Sequence, residues 1–358
     1  MPYTHLYLSG LPKKITTAIL CASFLFAGTT ATAYASNSAA QDYLKPNDED
    51  IKTFSRPLAV PQGENNIATP ARIELGKHLF FDPRLSGSNS ISCATCHNPA
   101  LGWSDSQATA IGDRMQVLER ATPTIINTGY QRVQFWDGRA STLEEQALGP
   151  IVAAVEMNQP LYELFGELKE IPGYVKMFEV AYPGEGINAI TIGKAIAAFE
   201  RTIIAGESDF DRWLKGDTNA MSAEARRGFL VFAGKGNCTA CHTRHNFTDD
   251  KFHNIGLKNV TNLGRFAIEP DEKLKGAFKT PTLRDIARTA PYMHNGAYKT
   301  LEEVVEHYNS GGFKNSGTPS EDMKKLNLSD KDKKALVTFM KSLTGEQIKI
   351  SVPVLPVK

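Results

Sequence analysis

Apolar positions in this chain recur mostly at helical spacing. Ile192, Ala195, Ile196, Phe199 and Ile203 form one stripe, and Leu336, Phe339, Met340 and Leu343 form another that stops at Gly345. Each predicts a helix with one face on a core. Thr69-Pro70 opens a helix that carries Leu75 and Leu79, since proline is tolerated in a first turn, and Ser222 opens another. Ser141 with Glu144 and Thr300 with Glu303 have the spacing of reciprocal capping boxes. The helix after Ser141 is expected to be short, ending near Gly149-Pro150. The helix after Thr300 is phased by Leu301, Val304 and Val305, which turns Tyr308 inward on the same face. Residues 36–68 are polar, with Pro46, Pro57 and Pro61, and read as an irregular lead-in. There is little sign of strands, so the expected class is mainly α.

The chain has 358 residues, enough for two domains, and the polar, Gly-containing stretch from Asp209 to Asn219 is the candidate boundary between domains 36–217 and 218–358. Lys13 and Lys14 precede an apolar run from Ile15 to Gly28, and Ala33-Tyr34-Ala35 follows with the small-x-small pattern that a signal peptidase reads. Residues 1–35 are therefore expected to be a removed export signal, the core being short for an uncleaved anchor. No other stretch is apolar for the roughly 18 residues a membrane span needs. Forty Lys and Arg against 39 Asp and Glu leave a charge of +1, which supplies no field for nucleic acid or an anionic membrane. Hydrophobic residues at 41% argue against disorder.

Cysteine changes the picture most. Cys21 lies in the apolar leader behind Leu20, too large for a lipoprotein cleavage site, and the other four cysteines form two identical motifs, Cys93-Ala-Thr-Cys96-His97 and Cys238-Thr-Ala-Cys241-His242. On a helix the two sulfurs and the imidazole of C-x-x-C-H share a face, so thioethers can hold a haem's vinyl edge while histidine ligates its iron. Two covalent haems are expected. A zinc site, a redox dithiol and two structural disulfides are the alternatives. Zinc would not need a histidine after each pair, and a redox motif would not occur twice without an α/β pattern around it. The haem motif is the only repeat read from the sequence.

Further motifs accompany it. Leu75 to Arg84 reads LGKHLFFDPR, Phe135 to Ala140 reads FWDGRA, Leu143 to Gln146 reads LEEQ, and Gly149-Pro150 and Val155-Glu156-Met157-Asn158 follow. Thr289 to Gly296 reads TAPYMHNG. From about Glu74 to about Tyr308 the chain resembles the bacterial diheme cytochrome c peroxidase and MauG superfamily. The resemblance implies two cytochrome-c-like domains, each with one covalent haem, the haem on His97 binding peroxide and the haem on His242 admitting or sharing electrons. It implies that Trp136 lies between the haems, that Glu156 moves the peroxide proton in the distal pocket, and that Gln146 and Pro150 line that pocket. Trp103 and Trp213 are expected in the core. His294 is expected to brace the second haem pocket, while His78, His245, His253 and His307 read as ordinary surface or hydrogen-bonded residues. Arg284, in KTPTLR, is a candidate partner for a haem propionate.

Two departures bear on subtype. Where the peroxidases carry a histidine that caps the first haem, this chain has Ile111-Gly112-Asp113, and where they place an axial methionine on the second haem it has Tyr308, with Met293 and Met323 as rival ligands. Both departures resemble MauG. The superfamily also implies a calcium ion between the haems, with the carbonyls of Thr289 and Pro291 as donors, but Ala121 stands in place of the asparagine ligand. The expected function is a periplasmic diheme peroxidase that uses hydrogen peroxide to form a high-valent state and oxidises a protein partner, as MauG does. Reduction of peroxide with electrons from a small cytochrome or copper protein is the second enzyme reading. A non-enzymatic diheme electron carrier is the third.

Overall fold

The computed structural model describes residues 43–258, 261–314 and 318–358; the expected leader, with Cys21, lies outside the described residues. The stretch read as an irregular lead-in contains helix α1 (Asp48–Phe54). Asn47 accepts from the Asp50 N–H and Asp50 bonds back, a box of Asx type that the proline spacing obscures. Helix α2 (Pro70–Phe81) starts at a Thr69 cap as expected, and α3 (Cys93–Cys96) carries the first haem motif.

The next start differs by one residue. Thr142, not Ser141, caps α4 (Leu143–Gln146), and Glu145 reaches back to Ser141, which leaves Glu144 free to pair with Arg201 at 2.7 Å. Gly149-Pro150 does not end this helix either; it begins a second short one, α5 (Gly149–Val152), because proline fits a first turn. Then come α6 (Leu161–Lys169), α7 (Pro172–Ala181) and α8 (Ala189–Glu200). The segment read as a polar junction forms α9 (Asp209–Leu214), whose Phe210 and Trp213 are buried against Phe229. Helix α10 (Ala223–Ala233) leads to the second motif. A two-stranded antiparallel ladder follows, β1 (Phe252–His253) on β2 (Phe278–Lys279), with Phe252 opposite Lys279. Helices α11 (Leu301–Ser310), boxed by Thr300 and Glu303, and α12 (Asp330–Lys341) complete the elements.

Each half is built on one close helix crossing, α2 on α8 and α10 on α12. A Cβ on Gly76 would stand 1.8 Å from the Ala195 carbonyl oxygen, and one on Gly228 would stand 2.0 Å from that of Ala335. Glycine is required at both because backbone meets backbone. Phe80, Trp103 and Phe199 fill the first core, and Phe210, Phe229 and Phe339 the second.

The haem motif is not the only repeat, contrary to the sequence reading. Gln134 pairs with Ala140 as Tyr292 pairs with Tyr298. Phe135 and Met293 both take positive φ, 68° and 75°, and so do Gly138 and Gly296. Thr142 and Thr300 then cap the following helices. The repeat is also written in the sequence, as TPT at 122–124 and 280–282 and TLEE at 142–145 and 300–303, and the sequence reading passed over it. At a constant offset this repeat matches Trp136 with His294, Gln146 with Val304, Pro150 with Tyr308 and Ala121 with Lys279. The two halves also exchange equivalent hydrogen bonds. The Ala121 N–H donates to the His294 carbonyl at 2.7 Å, and the Lys279 N–H donates to the Trp136 carbonyl at 2.8 Å.

Candidate functional site

A cavity of about 400 Å³ runs through this junction, and both C-x-x-C-H motifs stand on its wall. In each motif the main chain brings histidine back beneath the first cysteine: the N–H of His97 bonds the Cys93 carbonyl and that of His242 bonds the Cys238 carbonyl, both at 2.8 Å. Nδ1 of His97 faces the Trp103 carbonyl at 3.3 Å, and Nδ1 of His242 faces the Phe247 carbonyl at 2.9 Å. Such bonds fix the tautomer and leave Nε2 as the free ligand atom. Trp103 and Phe247 present these carbonyls from left-handed backbone, φ 59° and 53°. Burial lowers the pKa of both imidazoles, keeping them neutral as iron ligands must be.

All four cysteines are free of disulfides. Burial pushes the Cys96 thiol up to about 11 and the Cys238 thiol up to about 12, and it raises Cys93 further. Thiols held this way are poor thiolates, which disfavours the redox alternative. Cys241, His253 and Asp322 come within 4.8 Å of one another, but a thioether at Cys241 removes that sulfur as a metal ligand. His253, read as an ordinary surface or hydrogen-bonded residue, bonds Asp249 at 2.9 Å and stands on the cavity wall.

Around the first motif the wall includes Gln146, Pro150 and Glu156. Glu156 Oε2 is buried without a hydrogen-bond partner, and burial raises this carboxyl against the pull of Arg139 and Arg120. Its carbonyl accepts the Asp113 N–H at 2.6 Å, while the Asp113 carboxylate accepts from Ser88. Gly112 lines the cavity and Asp113 does not, so that carboxylate is directed away from the position a capping ligand would occupy.

Trp136 lies at the junction. Its indole N–H donates to the Ala121 carbonyl at 2.9 Å and its ring centroid is 6.4 Å from that of His294, which stacks on Phe278. Around the second motif Tyr308, Met293 and Met323 all reach the cavity, so the rival ligands remain neighbours in space. Burial raises the Tyr308 phenol. The carbonyls of Thr289 and Pro291 accept no hydrogen bond from the described residues, and both residues line the cavity, whereas Ala121 brings only a methyl group and a carbonyl already bonded to Trp136.

Arg284, read as a candidate propionate partner, is not among the cavity-lining residues, and its Nη2 is buried without a hydrogen-bond partner. Its guanidinium pairs with Asp211 at 2.6 Å, donates to the His245 carbonyl at 2.9 Å and lies over the Phe247 ring at 5.1 Å. It braces the loop whose Phe247 carbonyl orients His242. Two cavity groups escaped sequence reasoning. Glu200, 4% exposed, has an unpartnered Oε2 and a carboxyl pushed up to about 8 by burial; a charge closing the apolar run Ala195 to Phe199 was its signal. Lys279, 7% exposed, is the other.

With this geometry in view, the comparisons identify the class. The di-haem cytochrome c peroxidase family matches residues 70–219 and the cytochrome c family residues 225–344. The methylamine utilization protein MauG of Methylorubrum extorquens is 43% identical over 97% of this chain and 98% of its own length. The cytochrome c551 peroxidase of Pseudomonas aeruginosa is 34% identical over 92% of each chain. The crystal structure of a MauG-like protein associated with microbial copper homeostasis superposes with a TM-score of 0.75 at 30% identity, covering 81% of this chain and 95% of that one. The chain belongs to the di-haem cytochrome c peroxidase and MauG family. It is a two-domain haem peroxidase with two covalent haems c.

Proposed function

We propose that this protein is a periplasmic, MauG-like peroxidase in which peroxide reacts on the Cys93–His97 side and the oxidising equivalents pass by Trp136 to the Cys238–His242 side, to be used on a protein partner. The bound haems supply the iron at which peroxide is activated and electrons are exchanged. The chain supplies the rest. His97 and His242 hold the irons from their bonded rings. Glu156 takes the proton of the inner peroxide oxygen and returns it to the outer one, so that water can leave; a carboxyl raised by burial suits both transfers. Gln146 orients peroxide, and Pro150 limits access without offering iron a ligand. Tyr308 would hold the second iron as its phenolate, the metal charge offsetting the rise that burial imposes. Thr289 and Pro291 offer carbonyls to a calcium ion that would need waters where Ala121 stands. The domain boundary lies at 217/218, within the span after α9.

The observation that carries this reading is an unpartnered Glu156 oxygen at the wall beside an Asp113 whose carboxylate is turned to Ser88 and does not line the cavity. The relatives named MauG and the absence, among the described residues, of any helix able to cross a membrane agree with it. Rapid mixing of fully oxidised protein with peroxide tests it: the first haem should react without prior one-electron reduction, and the second should lack the near-infrared band of methionine ligation. A requirement for prior reduction, together with that band, would return the protein to the ordinary cytochrome c peroxidases, with Met293 or Met323 as ligand.

A further inference from the structure

We propose that Lys279 is the built-in counter-charge for a propionate of the haem attached at Cys238 and Cys241. Its side chain stands on the cavity wall and is almost wholly buried. Among the described residues its ammonium has one hydrogen-bond partner, Gln131 Oε1 at 2.9 Å, although it has three N–H groups to place. The carboxylate that acts on it, Asp250, does so through its field without a hydrogen bond and is paired with Arg244 at 3.7 Å. A buried cation with no hydrogen-bonded anion is costly, and burial drags this ammonium down to about 8 against the pull of Asp250. A haem carries two carboxylates into this cavity, and one of them satisfies both the charge and the free donors.

The main chain of Lys279 cannot swing away from that position. Its N–H is bonded to the Trp136 carbonyl, and its strand pairs with β1, which carries His253 beside Cys241. Two residues on, the Pro281 backbone reaches the His242 ring. These contacts hold the main chain of Lys279 beside the second haem motif, while its ammonium reaches the cavity from a bond to Gln131. The repeat separates this role from a merely structural one. Ala121 holds the equivalent place in the first half and makes the equivalent bond to His294, so the architecture requires the N–H and not the cation.

Holoprotein with both haems attached tests the assignment through Lys279→Met and Lys279→Arg, read by spectroelectrochemistry and by the propionate bending bands in resonance Raman spectra. Both variants should keep their haems, since the thioethers use only cysteine. Lys279→Met should lower the midpoint potential of the second haem, because the cation that favours the reduced iron is gone, and should shift its propionate band; Lys279→Arg should restore both. An unchanged second haem in Lys279→Met, a change confined to the first haem, or an arginine that behaves like methionine would overturn the proposal. If Lys279→Met does not accumulate, Gln131→Leu reads the same bond by freeing the ammonium from its tether. The propionate band should then move, and an unmoved band counts against the pairing.

Discussion

Around Cys93 the repeated frame aims Trp136, Gln146, Pro150 and Glu200 at the cavity; around Cys238 the same positions carry His294, Val304, Tyr308 and Met340. Glu200 and Met340 correspond because each follows the phenylalanine, Phe199 or Phe339, that packs at its half's glycine crossing. The first half thus sets carboxyl and amide groups against the cavity and puts Pro150 where the second half puts Tyr308. The second half replaces the amide and the carboxyl with valine and methionine. One frame therefore yields a polar wall with titratable groups and a more apolar wall with a phenol. Under the proposed function, the division between peroxide chemistry and electron exchange would lie in these few side chains, with the backbone held nearly constant.

The widest test of that division is Glu156→Gln, which keeps shape and loses the titrating proton. Reaction of the oxidised protein with peroxide should slow by about 10²–10⁴-fold, the usual worth of a positioned general acid-base group. Stopped-flow traces at the wild-type rate would make Glu156 structural and remove the main asymmetry in proton handling.

Glu200→Met imports the second half's residue into the first and should be read as stability against pH. Burial holds the Glu200 carboxyl up near 8, against the pull of Arg201 and with the push of Glu144. Between about 4.5 and about 8 the folded chain therefore keeps a proton that the unfolded chain has released, and stability falls as pH rises through that window. The fall should be on the order of a few kcal/mol at most, levelling above pH 8. Denaturant titrations of Glu200→Met should lose this slope. A slope that survives would show that Glu200 finds a partner in the loaded protein and is not the isolated acid its unpartnered oxygen indicates.

How much of this was legible in the sequence depends on the kind of signal. Thr69-Pro70 and Thr300 with Glu303 state a local rule, and the chain obeys it. Ser141 and Thr142 both satisfy the rule within one residue, and only the Glu144–Arg201 pair, distant in sequence, decides between them. The two haem motifs were legible because thioether chemistry demands adjacent residues, and the motifs around Trp136 and Glu156 because the family resemblance quotes them. Arg284 shows a limit of motif reading, since a guanidinium in a motif shows what it can bind and not where it points; buried Asp211, supplied by a segment read as linker, pairs with it. Lys279 was hidden for the converse reason, since its signal is a cavity, whereas the repeat was legible in the paired TPT and TLEE segments and was missed.

The smallest expected effect concerns what the halves share. Gly76→Ala and Gly228→Ala each place a Cβ against a backbone carbonyl, of Ala195 and Ala335, at separations no real contact adopts. Alanine gains about 1 kcal/mol in helix propensity over glycine, which offsets part of the cost. The clash is with main chain inside a packed crossing and is relieved only by moving a helix, so each variant should be destabilised by roughly 1–3 kcal/mol, as overpacked cores are. The comparison demands that the two losses be similar, because Phe199 and Phe339 back the two crossings in the same way. Haem content should stay at two in both variants, since neither glycine touches a cysteine. A loss in one half alone, measured by denaturant midpoint at fixed pH, would mean that the shared frame is shared only in outline and that the side-chain differences lining the cavity rest on different helix geometry.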